Sequence, residues 1–340
     1  MIRLYKFICV CALIWMIFQT NNKVYADTYI PGSTFKLNSR FDVFVCAADQ
    51  EREQYWFAIL FRRPFSIPLI YPEEQTSIYC YDKNSNTVSE KLISNQRIYS
   101  IAPYENGIVF LRDHYFFLDQ EICYFDTELR KTTVFKKPRT VGKIIAIHDN
   151  FVFYQGSTAY DDRNIYLYNL MTQDIKTFCK DVVTAFADQY QIYVVTNADP
   201  IGIDVYDINT NVLLYSVALD SSSDILSISD NKVLTKDGQL FLFECDSLNV
   251  SQKTFELNKN LTAGWIEDDH LVIISGDVLE SYRLYLPEIE YTFSQDIGEN
   301  IYSVAMQFNK LFLLDGKEKL VRIICVDDKE DQSTIFFGTK

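Results

Sequence analysis

Seven times along this chain a run of strand-forming residues closes on an aromatic residue and an acid or its amide, with a polar turn directly after. The clear copies are Ile78–Asp82 (IYCYD), Ile122–Asp126 (ICYFD), Ile165–Asn169 (IYLYN) and Ile203–Asp207 (IDVYD). Weaker copies follow at Leu240–Glu244 (LFLFE), Tyr282–Tyr285 (YRLY) and Val321–Asp327 (VRIICVD). They recur roughly every forty residues, and a unit that short cannot bury its own apolar face. Copies must therefore stack on one another. The 340 residues have room for two ordinary domains or one array, and the period decides for one array.

Each unit resolves into four strand signals, a to d in chain order. Strand a is short and carries a small residue at a matching place: Ala102, Ala146, Ala185, Ser227 and Ala305. Strand b is a continuous apolar run, as in Ile108–Leu111, Ile192–Val195 and Leu271–Ile274. Such a run suits a strand covered on both faces. Strand c carries the aromatic-acid step. Strand d alternates polar and apolar, as in Thr132–Phe135, Ile175–Phe178 and Glu290–Phe293, which suits a strand meeting water. The turn after strand c is rich in Asp, Asn, Ser and Thr, residues that bond their own backbone. Small residues on strand a let the innermost strands of a radial array approach its axis. No helical period interrupts the pattern. The expected fold is all-β, a seven-bladed β-propeller, with eight or six blades as the alternatives.

The Tyr-Asp step at the end of the third strand resembles the WD40 and YVTN-type propeller repeats, over essentially the whole chain after its first residues. The Trp-Asp dipeptide and the Gly-His pair of WD40 repeats are absent, as are the tryptophan motif of quinone-binding propellers and the Asp box of sialidases. The resemblance implies a fold and no function. Expected blade limits are 38–97, 98–139, 140–181, 182–220, 221–260, 261–298 and 299–340. Ser33–Leu37 is expected to add an outer strand to the last blade and close the ring.

Residues 1–26 are of another kind. Arg3 and Lys6 precede an apolar run from Phe7 to Phe18, and Val24-Tyr25-Ala26 offers a small residue at a cleavage point. The run is short of the roughly twenty residues that span a bilayer. This reads as a secretory signal peptide, with the domain at 27–340 and the product secreted or held at the cell surface or envelope. An uncleaved N-terminal anchor is the alternative; after cleavage no stable membrane insertion is expected. Removal of the segment takes Arg3, Lys6 and Lys23 and no acid, which moves the formal charge from −14 to −17. So acidic a protein repels nucleic acid, and the charge serves solubility.

Six cysteines remain, Cys46, Cys80, Cys123, Cys179, Cys245 and Cys325, about one per unit and without a C-x-x-C pair. Buried thiols are preferred to a disulfide framework, and no zinc site is implied. Of three histidines, His148 and His270 fall in a–b turns and are expected to be solvated. No nucleophile elbow, phosphate loop, calcium loop or cofactor motif is present.

Connection length is the functional signal. The b–c connections are long in blades one to four (Arg62–Thr76, Arg112–Glu121, Gln155–Asn164, Thr196–Gly202) and short in blades five to seven. The first carries three prolines, which lower the ordering cost of binding. Basic and aromatic residues gather there. The candidate ligand-binding set is Arg62, Arg63, Phe65, Tyr71, Arg112, Tyr115, Arg139, Tyr160 and Arg163, together with Trp265. Trp265 stands where other units have a small residue, so it must plug the channel, fill space beside a neighbouring blade, or floor a ligand site. No catalytic or metal-binding residue and no cofactor is assigned. The preferred reading is a non-catalytic module that binds a protein or a carbohydrate on its long-loop face. The alternative is an exported propeller hydrolase or lyase with its site in the central funnel.

Overall fold

The acid of the repeated step turns the chain. In the structure, a computed structural model, Asp82 Oδ1 accepts Ser85 N at 3.0 Å, and Asp126 Oδ1 accepts the N–H groups of Glu128 and Leu129 at 2.9 Å. Asn169 Oδ1 accepts Met171 and Thr172 in the same way, and Asp207 Oδ1 takes both the N–H (2.7 Å) and the hydroxyl (2.8 Å) of Thr210. A side-chain acceptor that satisfies the turn's own donors recurs because every unit must reverse direction there. The aromatic before it goes to the core: Tyr168 is fully buried and Phe125 nearly so.

The residues described are 28–29, 33–36, 44–49, 52–62, 74–114, 117–135, 141–156, 161–196, 200–221, 223–246, 249–257, 259–285, 288–298, 301–307, 309–315, 320–326 and 332–336. They form seven sheets, each an antiparallel meander of four consecutive strands. The sheets run from Phe44 to Ser94, Ile98 to Val134, Val141 to Cys179, Val182 to Leu219, Ile225 to Glu256, Ala263 to Asp296 and Ile301 to Phe336. First strands of neighbouring sheets lie against one another, so strand a is innermost. All described secondary structure is strand.

Seven apolar clusters sit one between each adjacent pair of sheets. The cluster that closes the ring joins Phe57 and Ile59 of blade one to Phe312 and Leu314 of blade seven, with Phe57 and Phe312 edge-on at 5.4 Å. Closure is therefore by packing. The segment at 33–37 was expected as an outer strand of blade seven, and the structure corrects this. Ser33–Lys36 does join blade seven, but on its innermost strand, with Ser33 opposite Met306 and Lys36 opposite Ser303. Thr28–Tyr29 pairs with the innermost strand of blade three, opposite His148 and Ile147. The backbones of 28–29 and 33–36 thus lie against inner edges on two sides of the channel. An inner strand of a closed ring still has an unpaired edge, which such a segment can satisfy.

The pairing also corrects the row of small residues. Counted from the a–b turn, the residues in register are Ala47, Ala102, Ala146, Phe186, Ser227, Trp265 and Ala305, so Phe186 takes the place expected for Ala185. This row faces the next blade. Ala102 packs with Ile144 and Ile147 of blade three, and Ser227 Oγ accepts Ile266 N of blade six at 3.0 Å. Small side chains are needed because inner strands converge. Trp265, 3% exposed, fills the wider gap between blades six and seven beside Ile301, Val304 and Met306.

Candidate functional site

Antiparallel order puts the a–b and c–d turns on one face of the ring and the b–c and d–a connections on the other. The two faces are built differently. In five blades the a–b turn is a two-residue hairpin, with Glu105, Asp149, Asp230, Asp268 and Asn309 among its positive-φ residues. These turns are tied from blade to blade. Asp188 Oδ2 accepts Asp230 N at 3.3 Å, Glu267 Oε2 accepts Asn309 N at 2.9 Å, and Tyr104 donates to Asn150 Oδ1 at 2.7 Å. The Arg52 guanidinium donates to the Glu105 carbonyl, and the Tyr215 hydroxyl to Asn231.

On the long-loop face, Arg112–Glu121 is a hairpin for most of its length. Strand pairing continues through Arg112 opposite Glu121, Asp113 opposite Gln120 and His114 opposite Phe117. Arg112 Nε donates to Glu121 Oε1 at 2.7 Å, and a second guanidinium nitrogen lies at the same distance. Glu121 is 3% exposed, so this pair is a buried pin at the root of the hairpin. In blade three the b–c connection folds back on its strand. Asp162 accepts the Tyr166 hydroxyl at 3.0 Å and Asn164 Nδ2 at 2.9 Å, while Tyr166 stacks on Tyr154 at 5.2 Å. Gly156 permits this fold, because a Cβ there would lie 2.4 Å from Asp162 Cγ. Arg163 Nε is 3.4 Å from Asp161 Oδ1, both exposed, and the Arg163 carbonyl accepts Val182 N at 2.6 Å.

Of the residues chosen from sequence, Arg112 and Arg163 lie on this face as expected from their connections, and both hold carboxylate partners. Trp265 lies in the wall between blades. Arg62 ends a strand. Arg63, Phe65, Tyr71, Tyr115, Arg139 and Tyr160 lie outside the described residues. The structure adds Lys143, which sequence reasoning missed. It follows a bulge at the start of the innermost strand of blade three, and its Nζ reaches blade four to donate to the Ala185 carbonyl at 3.1 Å. The same nitrogen lies 5.0 Å from the Phe186 ring centroid. Gln155 Nε2 makes a parallel bridge to the Val183 carbonyl at 3.0 Å. The signal was a lone cation in an inner-strand pattern.

The turn histidines correct a second expectation. His148 and His270 are 5% and 4% exposed, and His270 Nδ1 lies 2.9 Å from Asp269 Oδ1. They are packed under the tied turns rather than solvated, because each turn leans on its neighbour. Five cysteines are free thiols, and burial pushes Cys80 and Cys123 up to about 12. Cys80 and Cys123 are small core side chains with little thiolate. Among the described residues no three His, Cys, Asp or Glu side chains gather as a metal centre requires, and no helix is long and apolar enough to cross a membrane.

No family of known proteins matches this chain, and no curated protein does. Solved structures resemble it. The β-propeller domain of the trilobed protease from Pyrococcus furiosus, described as having an open velcro topology, superimposes with a TM-score of 0.54 at 9% identity over 89% of this chain and 100% of that one. A chain of the mitotic checkpoint complex gives 0.53 at 11% identity, over 77% and 82%. The computationally designed Ika8 protein gives 0.50 at 12% identity, over 89% and 87%. At such identities the likeness speaks for architecture alone. The chain has the fold of a seven-bladed β-propeller.

Proposed function

We propose that this protein is an exported, non-catalytic binding module that takes a protein or carbohydrate ligand on the long-loop face of blades one to four. The observation that carries the reading is the difference between the faces. One is closed by two-residue turns bonded to their neighbours, and the other carries a projecting hairpin and long connections rich in cations and aromatics. Rigid scaffolds commonly place recognition on loops of this kind. The charged start, short apolar run and small residue at 26 support export with cleavage after Ala26. N-terminal sequencing of secreted material is expected to begin at Asp27, and a membrane-bound product retaining Phe7–Phe18 would establish an anchor instead.

The binding test is a pull-down of the mature protein against cell-envelope fractions, run beside a glycan array. Replacing residues 64–72 by a short Gly-Ser loop is expected to abolish capture while the circular dichroism spectrum stays that of an all-β protein. Undiminished capture by that variant, and by one shortened at 157–160, would contradict the assignment.

A further inference from the structure

On its outer side each of the seven sheets ends in a strand with no further strand beside it among the described residues. Such an edge presents a row of N–H and C=O groups, and charges in the strand, lysine above all, keep other strands away from it. Blades one, two, three, five and six carry Lys91, Lys131, Lys176, Lys253 and Glu290 there. Blade seven's QSTIF follows directly on the charged run DDKED. Blade four is the exception. Its outer strand, Leu213–Leu219 (LLYSVAL), has neither a charge nor a proline. Val212 before it is 58% exposed and Leu213 and Leu214 47% each, with Ser216 and Ala218 exposed as well. A bulge at Leu214 leaves Tyr215–Leu219 as the regular edge, about 17 Å long.

The two sides of this edge differ. Val217 and Leu219 are buried toward blade five with Ile228 and Val233. On the other side the exposed Ser216 hydroxyl donates to Asp204 Oδ1 at 2.6 Å, and Asp204 meets no cation among the described residues. The blade as a whole is of one sign. Between Lys180 and Lys232 the sequence holds eight aspartates and no Lys, Arg or His. Lys236 and Lys232 of the next blade pair with Asp224 and Asp230, which lie beyond the outer strand, whereas Asp220 follows it directly. A second copy paired on this edge brings the same aspartates with it and is opposed by like charge, while a cationic strand is drawn to it.

We propose that the outer edge of blade four binds an extended cationic peptide as a fifth strand, one whose basic and apolar residues alternate. Backbone hydrogen bonds along Tyr215–Leu219 hold the peptide, and the alternation of its side chains gives specificity. Its apolar residues continue the side of Val217 and Leu219, and its basic residues the side of Ser216 and Ala218. A lysine beside Ser216 stands two strands, about 10 Å, from Asp204, a gap that the two side chains span together. The site lies on the outer wall between the two faces of the ring. It rests on no part of the long-loop reading, and either can fail alone.

The probe is a fluorescein-labelled octapeptide of alternating Lys and Val, titrated with the mature protein and followed by fluorescence anisotropy. Two relatives are run beside it. One has Glu in place of Lys, and the other has every backbone nitrogen methylated, which keeps the charge and removes the donors. The expected result is saturable binding of the Lys-Val peptide, at least about tenfold tighter than either relative, equivalent to roughly 1.4 kcal/mol. Hydrogen exchange read by mass spectrometry is expected to slow at 213–219 in the bound protein and to stay unchanged in the outer strands of the other blades. Ser216→Lys gives this strand the lysine that its neighbours carry, and is expected to weaken binding at least about tenfold with an unchanged circular dichroism spectrum. Equal binding of the methylated peptide, undiminished binding by Ser216→Lys, unslowed exchange at 213–219, or no binding below about 1 mM overturns the proposal. Sedimentation velocity of the protein alone checks the rival occupant. A dimer that Ser216→Lys abolishes would give the edge to a second copy and overturn the cationic peptide.

Discussion

The two faces of the ring are made from the same seven repeats, yet they solve different problems. On the tied face each turn is two residues long in five blades, and its donors and acceptors are spent on the next blade. On the long-loop face the strands of blade two run on past the ring as a hairpin, and in blade three a connection is folded back around Asp162. A surface whose polar groups are already satisfied by its neighbours has little left to offer a partner. Under the proposed function, stability and recognition are segregated by face, with the inter-blade wall running beneath both.

The largest effect should come from that wall. Trp265→Ala is expected to cost about 3–5 kcal/mol, because it empties an indole-sized volume between blades six and seven. Chemical denaturation measures the loss, and capture of ligand by the folded fraction should be unchanged. A variant of normal stability that no longer binds would move Trp265 from the wall to the site.

Next is Arg112→Ala. It strands the buried Glu121 carboxylate, and breaking such a pair costs about 3 kcal/mol. Stability should fall, and Arg112→Lys should restore only part of it because one amine replaces two guanidinium donors. Loss of binding without loss of stability would make Arg112 a ligand contact and sharpen the long-loop face.

Asp188→Ala probes the tied face. Asp188 accepts Tyr190 N and Gln191 N at 2.8 Å, the Tyr193 hydroxyl at 2.5 Å and Asp230 N at 3.3 Å. The Tyr193 hydroxyl keeps Gln191 Oε1 at 2.9 Å, while the backbone N–H groups lose their shared carboxylate, so the loss should be about 1–3 kcal/mol in a denaturation curve. Binding should survive, since this turn lies on the face opposite the b–c connections.

The smallest effect is on pH dependence. The Ser85 N–H holds the Asp82 carboxyl below its ordinary value, and the Thr210 hydroxyl and N–H do the same for Asp207. A depressed carboxyl contributes stability that is present above its unfolded value and lost as pH falls through the folded one. The contribution should therefore fade below about pH 4. The double variant Asp82→Asn, Asp207→Asn keeps both acceptor oxygens and removes both titrations. Its midpoint should fall less steeply with acid than that of the parent, and parallel slopes would show that these turns contribute nothing.

Most of the architecture was legible because it is written as period. The aromatic-acid step marks one strand in four, and the acids proved to be turn acceptors. Register was less legible. Ala185, Phe186 and Ala187 offer small residues on either side of an aromatic, and only pairing to Tyr193 and Val194 shows that Phe186 occupies the row. Bulges shift alternation by one without a composition signal, as at Val141/Lys143 and Ile98/Ser100. The burial of His148 and His270 depends on turns leaning across blades, which no local pattern records. The pairing of 28–29 and of 33–36 with two inner strands arises from residues far apart in the chain. For the candidate site, connection length put Arg112 and Arg163 on the b–c face, where the structure has them, whereas Lys143 passed for one more strand residue.

The central claim is that recognition belongs to one face. It is tested most directly by immobilising the mature protein in two orientations. One biotin-acceptor tag is inserted at Asn84 in the c–d turn of blade one, and the other is inserted within the 64–72 connection on the opposite face with every native residue kept. Both proteins are presented at equal density to cell-envelope fractions and to the glycan array. The account predicts capture when the protein is held by Asn84 and at least about tenfold less when it is held through the long loop. Equal capture in both orientations, or capture only when the tied turns are free, would contradict it.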